Sequence, residues 1–243
     1  MKRLIFIFAA LIFISMQAHA WTSEGFIIDF NEKWLIDDAY NRAMSQAKKD
    51  MQRGGASAKD SGPSVKTDPL WTGAQRVING RFFAGGDDVL DDMVNRFPRD
   101  QRTQARQALT QIIGAFNDSV EKLYGVPKEN VATGMVALLA GGYAAYYNKP
   151  FPEKYVKPTY EQLGAYLRSK PELFKSDADE KLRSYQKSVG VGMMLQMLQQ
   201  EVQKSSKPSD VAELKDAGAR VYRAVLNTEP ERVEFTSSGI KFR

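Results

Sequence analysis

Two serine–lysine pairs stand at a spacing used for catalysis, Ser119 with Lys122 and Ser184 with Lys187. On a helix, a lysine three residues after a serine lies beside it, and in penicillin-binding enzymes such a pair works together with Ser-Asp-Asn and Lys-Thr-Gly partners. Neither partner motif occurs in this chain. About one such match arises by chance at this length, so both pairs read as exposed helix residues. Acidic pairs occur at Asp37-Asp38, Asp87-Asp88 and Asp91-Asp92. The last two, four residues apart, place carboxylates on one face of a short helix, where they can hold a hard cation such as calcium. The glycine and terminal glutamate of a calcium loop are missing, and a capped helix start with solvated acids explains the pattern. Glu24, Asp29 and Glu32 lie among the aromatic Trp21, Phe26 and Trp34. They form either a sugar-binding face or a hydrophobic arm carrying ordinary solvated acids. Gly190 and Gly192 sit in an apolar helical pattern with no strand before them, which reads as helix packing and not as a phosphate loop. Met193, Met194 and Met197 suit either an adaptable partner surface or core filling.

Wider exclusions follow from two missing residue types. The chain has no cysteine, and its one histidine is His19. Once the segment carrying His19 is removed, as argued below, Ser-His-Asp and Cys-His arrangements, thiol nucleophiles and zinc sites built on His or Cys are all out of reach. Polysaccharide hydrolysis by paired carboxylates survives, since it needs only Asp and Glu. No metal ion and no cofactor is expected.

One cluster points toward binding. Tyr143, Tyr146, Tyr147, Phe151, Tyr155, Tyr160 and Tyr166 crowd around a turn broken by Pro150 and Pro152. Tyrosine combines large contact area with a hydroxyl and is enriched at interfaces. Tyr146, Tyr147, Phe151 and Tyr155 are therefore the candidate interaction surface. The alternative is that these rings close one end of a helical bundle.

The elements that must position these groups begin after an export signal. Lys2 and Arg3 precede an uncharged run from Leu4 to Met16, and Gln17-Ala18-His19-Ala20 ends in a small-x-small step. That order is that of a cleavable secretory signal peptide over residues 1–20, with cleavage between Ala20 and Trp21. The apolar run is shorter than the roughly twenty residues that a membrane span requires, so no stable membrane anchor is expected. Periplasmic or secreted localisation follows. The full chain has 34 Lys+Arg against 29 Asp+Glu; losing Lys2 and Arg3 leaves 32 against 29, a net charge of +3. No run of five like charges occurs, which gives no support to nucleic acid as a partner.

Residues 21–51 read as an N-terminal helical arm and 52–69, rich in Gly, Ser, Lys and Pro63, as a flexible linker. Residues 70–243 read as the helical domain. A short helix is expected within Trp71 to Phe83. Another opens at Gly85-Gly86-Asp87-Asp88 and runs through Asn95. The next has Pro98 in its first turn, with Ala105, Leu109, Ile112, Ile113, Phe116, Val120 and Leu123 inward, and it stops at Gly125. Val131 to Tyr147 has no charge and is read as a central buried helix. A helix ending before Pro171 follows, then a long one capped by Asp177, then one starting at Ser209 or Asp210. Val233 to Phe242 alternates like a small hairpin or extended clip. The fold class is all-α, an irregular bundle of about six or seven helices with a short extended C-terminal tail.

Phe116-Asn117-Asp118, the uncharged small-residue helix from Val131-Ala132 to Tyr146-Tyr147, and the closing Pro230-Glu231-Arg232 to Gly239 together resemble a family of exported bacterial proteins of unknown function. The resemblance covers roughly residues 70–240. It implies an all-helical exported domain and carries no catalytic residue over to this chain. The expected function is a non-enzymatic exported protein that binds a protein partner in the bacterial envelope, as an immunity protein or inhibitor or as an accessory to secretion or a surface assembly. The alternative is a carboxylate-dependent enzyme acting on cell-wall or other polysaccharide.

Overall fold

The uncharged stretch from Val131 to Tyr147 sets the architecture. A helix with no charge on any face can satisfy itself only by being surrounded. The computed structural model describes residues 68–72, 87–169, 178–205 and 207–243. Six α-helices and one hairpin occur among them: α1 (Asp87–Val94), α2 (Arg102–Tyr124), α3 (Val131–Tyr147), α4 (Val156–Arg168), α5 (Ala178–Ser205), α6 (Pro208–Leu226), β1 (Val233–Thr236) and β2 (Gly239–Phe242). The fold is all-α with a short two-stranded C-terminal tail. The expected signal peptide, the expected arm 21–51, the expected linker up to residue 67 and the acids Glu24, Asp29 and Glu32 lie outside the described residues.

α3 is the axis, buried along nearly its whole length and packed most extensively against α5 and α6. α1 and α2 cover the far side of α5, while α4 and the hairpin cover the other side of α3. No helix among the described residues is long and apolar enough to cross a membrane. Asn130 starts α3, its side chain accepting a hydrogen bond from the Ala132 N–H at 3.0 Å, as an N-cap asparagine should. Asn148 ends it in the left-handed conformation. There the α5 side chains of Gln199 and Gln203 donate to the Asn148 Oδ1 (3.4 Å) and carbonyl (2.9 Å).

Glycines decide how closely the axis is held. Each costs about 1 kcal/mol against alanine inside a helix, so they persist where something larger is gained. A Cβ on Gly141 would run into the backbone of Gly192, and one on Gly192 into the backbone around Ala137. Backbone therefore lies on backbone at the α3–α5 crossing. At the α3–α6 crossing, Gly218 meets the backbone of Gly142 and Tyr146, and Gly142 faces Val221. The Gly190–Gly192 pattern is helix packing, as read from the sequence. Met194 and Met197 are buried, and Met193 packs against the core.

Several boundaries differ from expectation in instructive ways. Pro98 precedes a 3-10 turn (Arg99–Gln101), and α2 begins only at Arg102. Arg102 turns back to donate to the carbonyls of Phe97 (3.1 Å) and Asn95 (2.9 Å), tying the corner between α1 and α2. Pro208 itself occupies the first turn of α6, where its missing N–H costs nothing. Trp71 is extended and not helical, forming a bridge with Asn130; residues 73–83 of that expected helix lie outside the described residues, as does Asp177.

The end of the stretch read as linker is also part of the packed domain. Asp68 is buried and Leu70 fully so. The Leu70 carbonyl accepts from Val131 N–H and the Thr72 N–H donates to the Glu129 carbonyl, both at 2.9 Å. The Asp68 carboxylate receives hydrogen bonds from Leu70 N–H (3.0 Å), Asn130 Nδ2 (3.1 Å), and Arg168 Nε (3.3 Å) and Nη2 (3.1 Å). This two-pronged pair is nearly closed to solvent, with side-chain exposures of 6 % for Asp68 and 16 % for Arg168. The chain segment at Asp68 is thus buttoned to the N-terminal end of α3 and the C-terminal end of α4.

Three outcomes are expected from denaturant unfolding. Gly192→Ala should cost about 1–3 kcal/mol or more, because backbone must be pushed apart. Gly114→Ala on α2, where a Cβ meets nothing within 4 Å, should instead stabilise by roughly 0.5–1 kcal/mol; equal effects would contradict the close crossing. Asp68→Ala should cost about 3 kcal/mol or more by stranding the Arg168 charge, whereas a loss under about 1 kcal/mol, the size of a surface pair, would show that the pair is solvated.

Candidate functional site

The last turn of α3 presents Tyr143, Tyr146 and Tyr147, and the proline-broken turn brings Phe151 and Tyr155 alongside. Tyr143 and Tyr147, one helical turn apart, have ring centroids at 4.7 Å. Phe151 stands edge-on to Tyr143 at 5.3 Å and 86°, and Tyr155 joins Phe151 at 6.5 Å. Such T-shaped contacts place the positive edge of one ring on the negative face of the next.

The ring that completes this cluster comes from the hairpin. Phe235 of β1 packs edge-on to Phe151 at 4.8 Å and 90° and to Tyr143 at 6.0 Å, and it reaches Tyr222 of α6 at 6.4 Å. Tyr146 OH donates to the Glu231 carboxylate, and Tyr147 OH donates to the Pro230 carbonyl at 3.1 Å. On its other edge, β2 is held by Gln162 of α4. Ile240 N–H donates to Gln162 Oε1 (2.6 Å), and Gln162 Nε2 donates to the Ile240 carbonyl (3.0 Å), so one side-chain amide stands in for a third strand. Gly239, at φ 101°, makes the turn into β2, a conformation open to glycine and strained for other residues.

Tyr146, Tyr147, Phe151 and Tyr155, the four residues singled out from sequence, are therefore brought together, and each is half-buried. The same rings also clip the hairpin to the bundle. Burial, with the neighbouring Tyr143, pushes the Tyr147 phenol above its usual range, while Arg243 works against this. Burial likewise raises Tyr222 well above it.

Lysines ring the cluster. Lys149 Nζ lies 5.5 Å from the Tyr143 centroid and 5.4 Å from that of Tyr147. Lys154 lies 4.9 Å from Tyr155, and Lys215 of α6 lies 4.9 Å from Tyr146. Each contact is of the order of 0.5–1 kcal/mol at an exposed site. All three lysines are exposed, and none forms an ion pair among the described residues. Sequence reasoning picked out the rings and missed these cations: Lys149 and Lys154 border the tyrosines in sequence, but Lys215 arrives from another helix.

The other chemical candidates sit elsewhere. Asp91 is ion-paired with Arg106, and the side chains of Asp87 and Asp88 lie outside the described residues. No group of three or more His, Cys, Asp or Glu placed to hold a metal ion occurs among the described residues. Ser119 donates to the carbonyls of Ala115 (2.7 Å) and Phe116 (3.2 Å) of its own helix. Ser184 and Lys187 are half-buried on α5. Among the described residues three carboxylates are buried: Asp68 with Arg168, Glu201 with Lys204 at 2.7 Å, and Glu129 in the turn before α3. Glu129 has φ 53°, an uncommon conformation for a side chain of its size. Burial raises its pKa above the usual 4.5, Glu121 adding to the shift and Lys128 opposing it.

The raised Glu129 pKa means that the folded state binds its proton more tightly than the unfolded chain does. Stability should therefore fall as pH rises from 4.5 through the folded pKa. Glu129→Gln should gain stability over the wild type at neutral pH, and the gain should vanish below pH 4.5. Urea unfolding across a pH series measures this; parallel pH curves for the two proteins would contradict it.

No curated protein and no solved structure matches the chain. One family model does match, over residues 1–243. The match is wider than the likeness read from the sequence over roughly 70–240, and the chain belongs to the family of that model, a family of unknown function, DUF6683.

Proposed function

We propose that this chain is an exported, non-enzymatic helical protein that binds a macromolecular partner in the bacterial envelope, using the tyrosine-rich end of its bundle. An immunity protein or inhibitor and an accessory to secretion or a surface assembly both fit this reading. The observation that carries it is the half-buried state of Tyr146, Tyr147, Phe151 and Tyr155 together. Phe151 packs on Phe235 of the hairpin, the Tyr146 and Tyr147 hydroxyls bond Glu231 and Pro230 just before it, and Tyr155 leans on Phe151, which holds the rings while all four keep partial exposure beside exposed lysines. Rigid aromatic groups lose little side-chain freedom when a partner docks, which is why such residues anchor interfaces. The order of the signal sequence and the lack of Cys and His beyond it support export and a non-catalytic role.

Replacing Tyr146 or Tyr147 with alanine is a poor test, since it also releases the hairpin. A photo-crosslinking residue placed at Pro150 or Lys154, both exposed, leaves the clip intact. Expressed in its host, either version should trap the same discrete envelope partner, and a crosslinker at Lys122 should not. Absence of any adduct specific to the tyrosine-rich end would remove the proposal.

A further inference from the structure

The lysines around the rings specify the partner further, an inference that rests on the binding role proposed above. Lys149, Lys154 and Lys215 each lay a cation against a tyrosine face, and none has a carboxylate partner among the described residues. Other surface cations near acids do pair: Arg223 with Asp216 and Glu229 and Arg243 with Glu234, beside the same end, and Lys204 with Glu201. Lys149, Lys154 and Lys215 are thus cations of the tyrosine-rich end that are held in position without an ion pair among the described residues. Holding the ammonium groups over aromatic faces reduces the freedom that a flexible lysine loses on binding.

We infer that this end docks an acidic protein surface, its carboxylates meeting Lys149, Lys154 and Lys215 while apolar side chains cover Phe151 and the tyrosine edges. Charge and spacing favour this over an anionic membrane. Polybasic lipid-binding segments gather about four to eight Lys or Arg. Here three lysines are interrupted by the exposed Glu153 and Glu231, which would face phosphate headgroups unfavourably. A folded partner can instead place its charges to match both signs.

The test uses the full secreted protein with two probes, immobilised poly-L-glutamate and vesicles of phosphatidylglycerol with phosphatidylcholine. The wild type should be retained by poly-L-glutamate and released by salt, and it should not float with the vesicles. Lys149→Glu/Lys154→Glu/Lys215→Glu should weaken retention about tenfold or more. The control Lys122→Glu/Lys128→Glu/Lys181→Glu, with the same change of net charge near the opposite end of α3, should change it little. Circular dichroism verifies that both fold, and the neutral Lys→Gln triple variant should fall between them. Equal weakening by both charge reversals would overturn the inference, because net charge alone would then explain it. Vesicle binding without poly-L-glutamate retention would overturn it in favour of lipid. A Pro150 crosslink that persists in the patch reversal would also overturn it while leaving the binding role standing, whereas no crosslink at all removes the role itself.

Discussion

Backbone laid on backbone where α3 crosses α5 and α6 is the constraint on which the other features depend. Gly141 against Gly192 and Gly142 against Gly218 bring three helices closer than any Cβ would permit. Closeness of that order lets an uncharged helix be enclosed by its neighbours, with its side chains packed at crystal-like density. It also sets where the last turn of α3 emerges, and hence where Tyr143, Tyr146 and Tyr147 stand. Roughly 1 kcal/mol of helix propensity is given up at each glycine, an expense justified only by the packing that results.

From this axis the two ends of the bundle take different characters. At the start of α3, polar groups are turned inward: buried Asp68 and Asn130 and half-buried Arg168 and Tyr160 form one network. Asp68 and its hydrogen bonds draw the chain arriving from the N-terminal side onto the domain. At the finish of α3 the chemistry is aromatic, with the hairpin clipped on through Phe235, two tyrosine hydroxyls and the side-chain amide of Gln162. One end closes around a charge pair; the other holds rings rigid and leaves lysines facing outward.

The composition of Val131–Tyr147 was enough to identify the central helix, because freedom from charge over seventeen residues has few physical outcomes. Gly125 and the apolar spacing of α2 were legible for the same reason: they are local. Pro98 was misplaced by a turn because a 3-10 segment and an α-helix share the same opening chemistry. The aromatic window was visible, but which rings meet Phe235 was not, since that contact joins residues far apart in the chain. Asp68 looked like linker for a related reason. Its neighbours are small and polar, and its partner Arg168 lies a hundred residues away. Charge pairing across such distances leaves no periodic trace in sequence.

If α3 is the axis that positions the tyrosine-rich end, its central amides should open only when the whole protein unfolds. Native-state hydrogen exchange measures this residue by residue. The account predicts that amides of Leu138 to Ala144 carry protection equal to the global unfolding free energy, and that those of the hairpin exchange through a smaller local opening. Protection of α3 well below the global value, or equal to that of the hairpin, would contradict it.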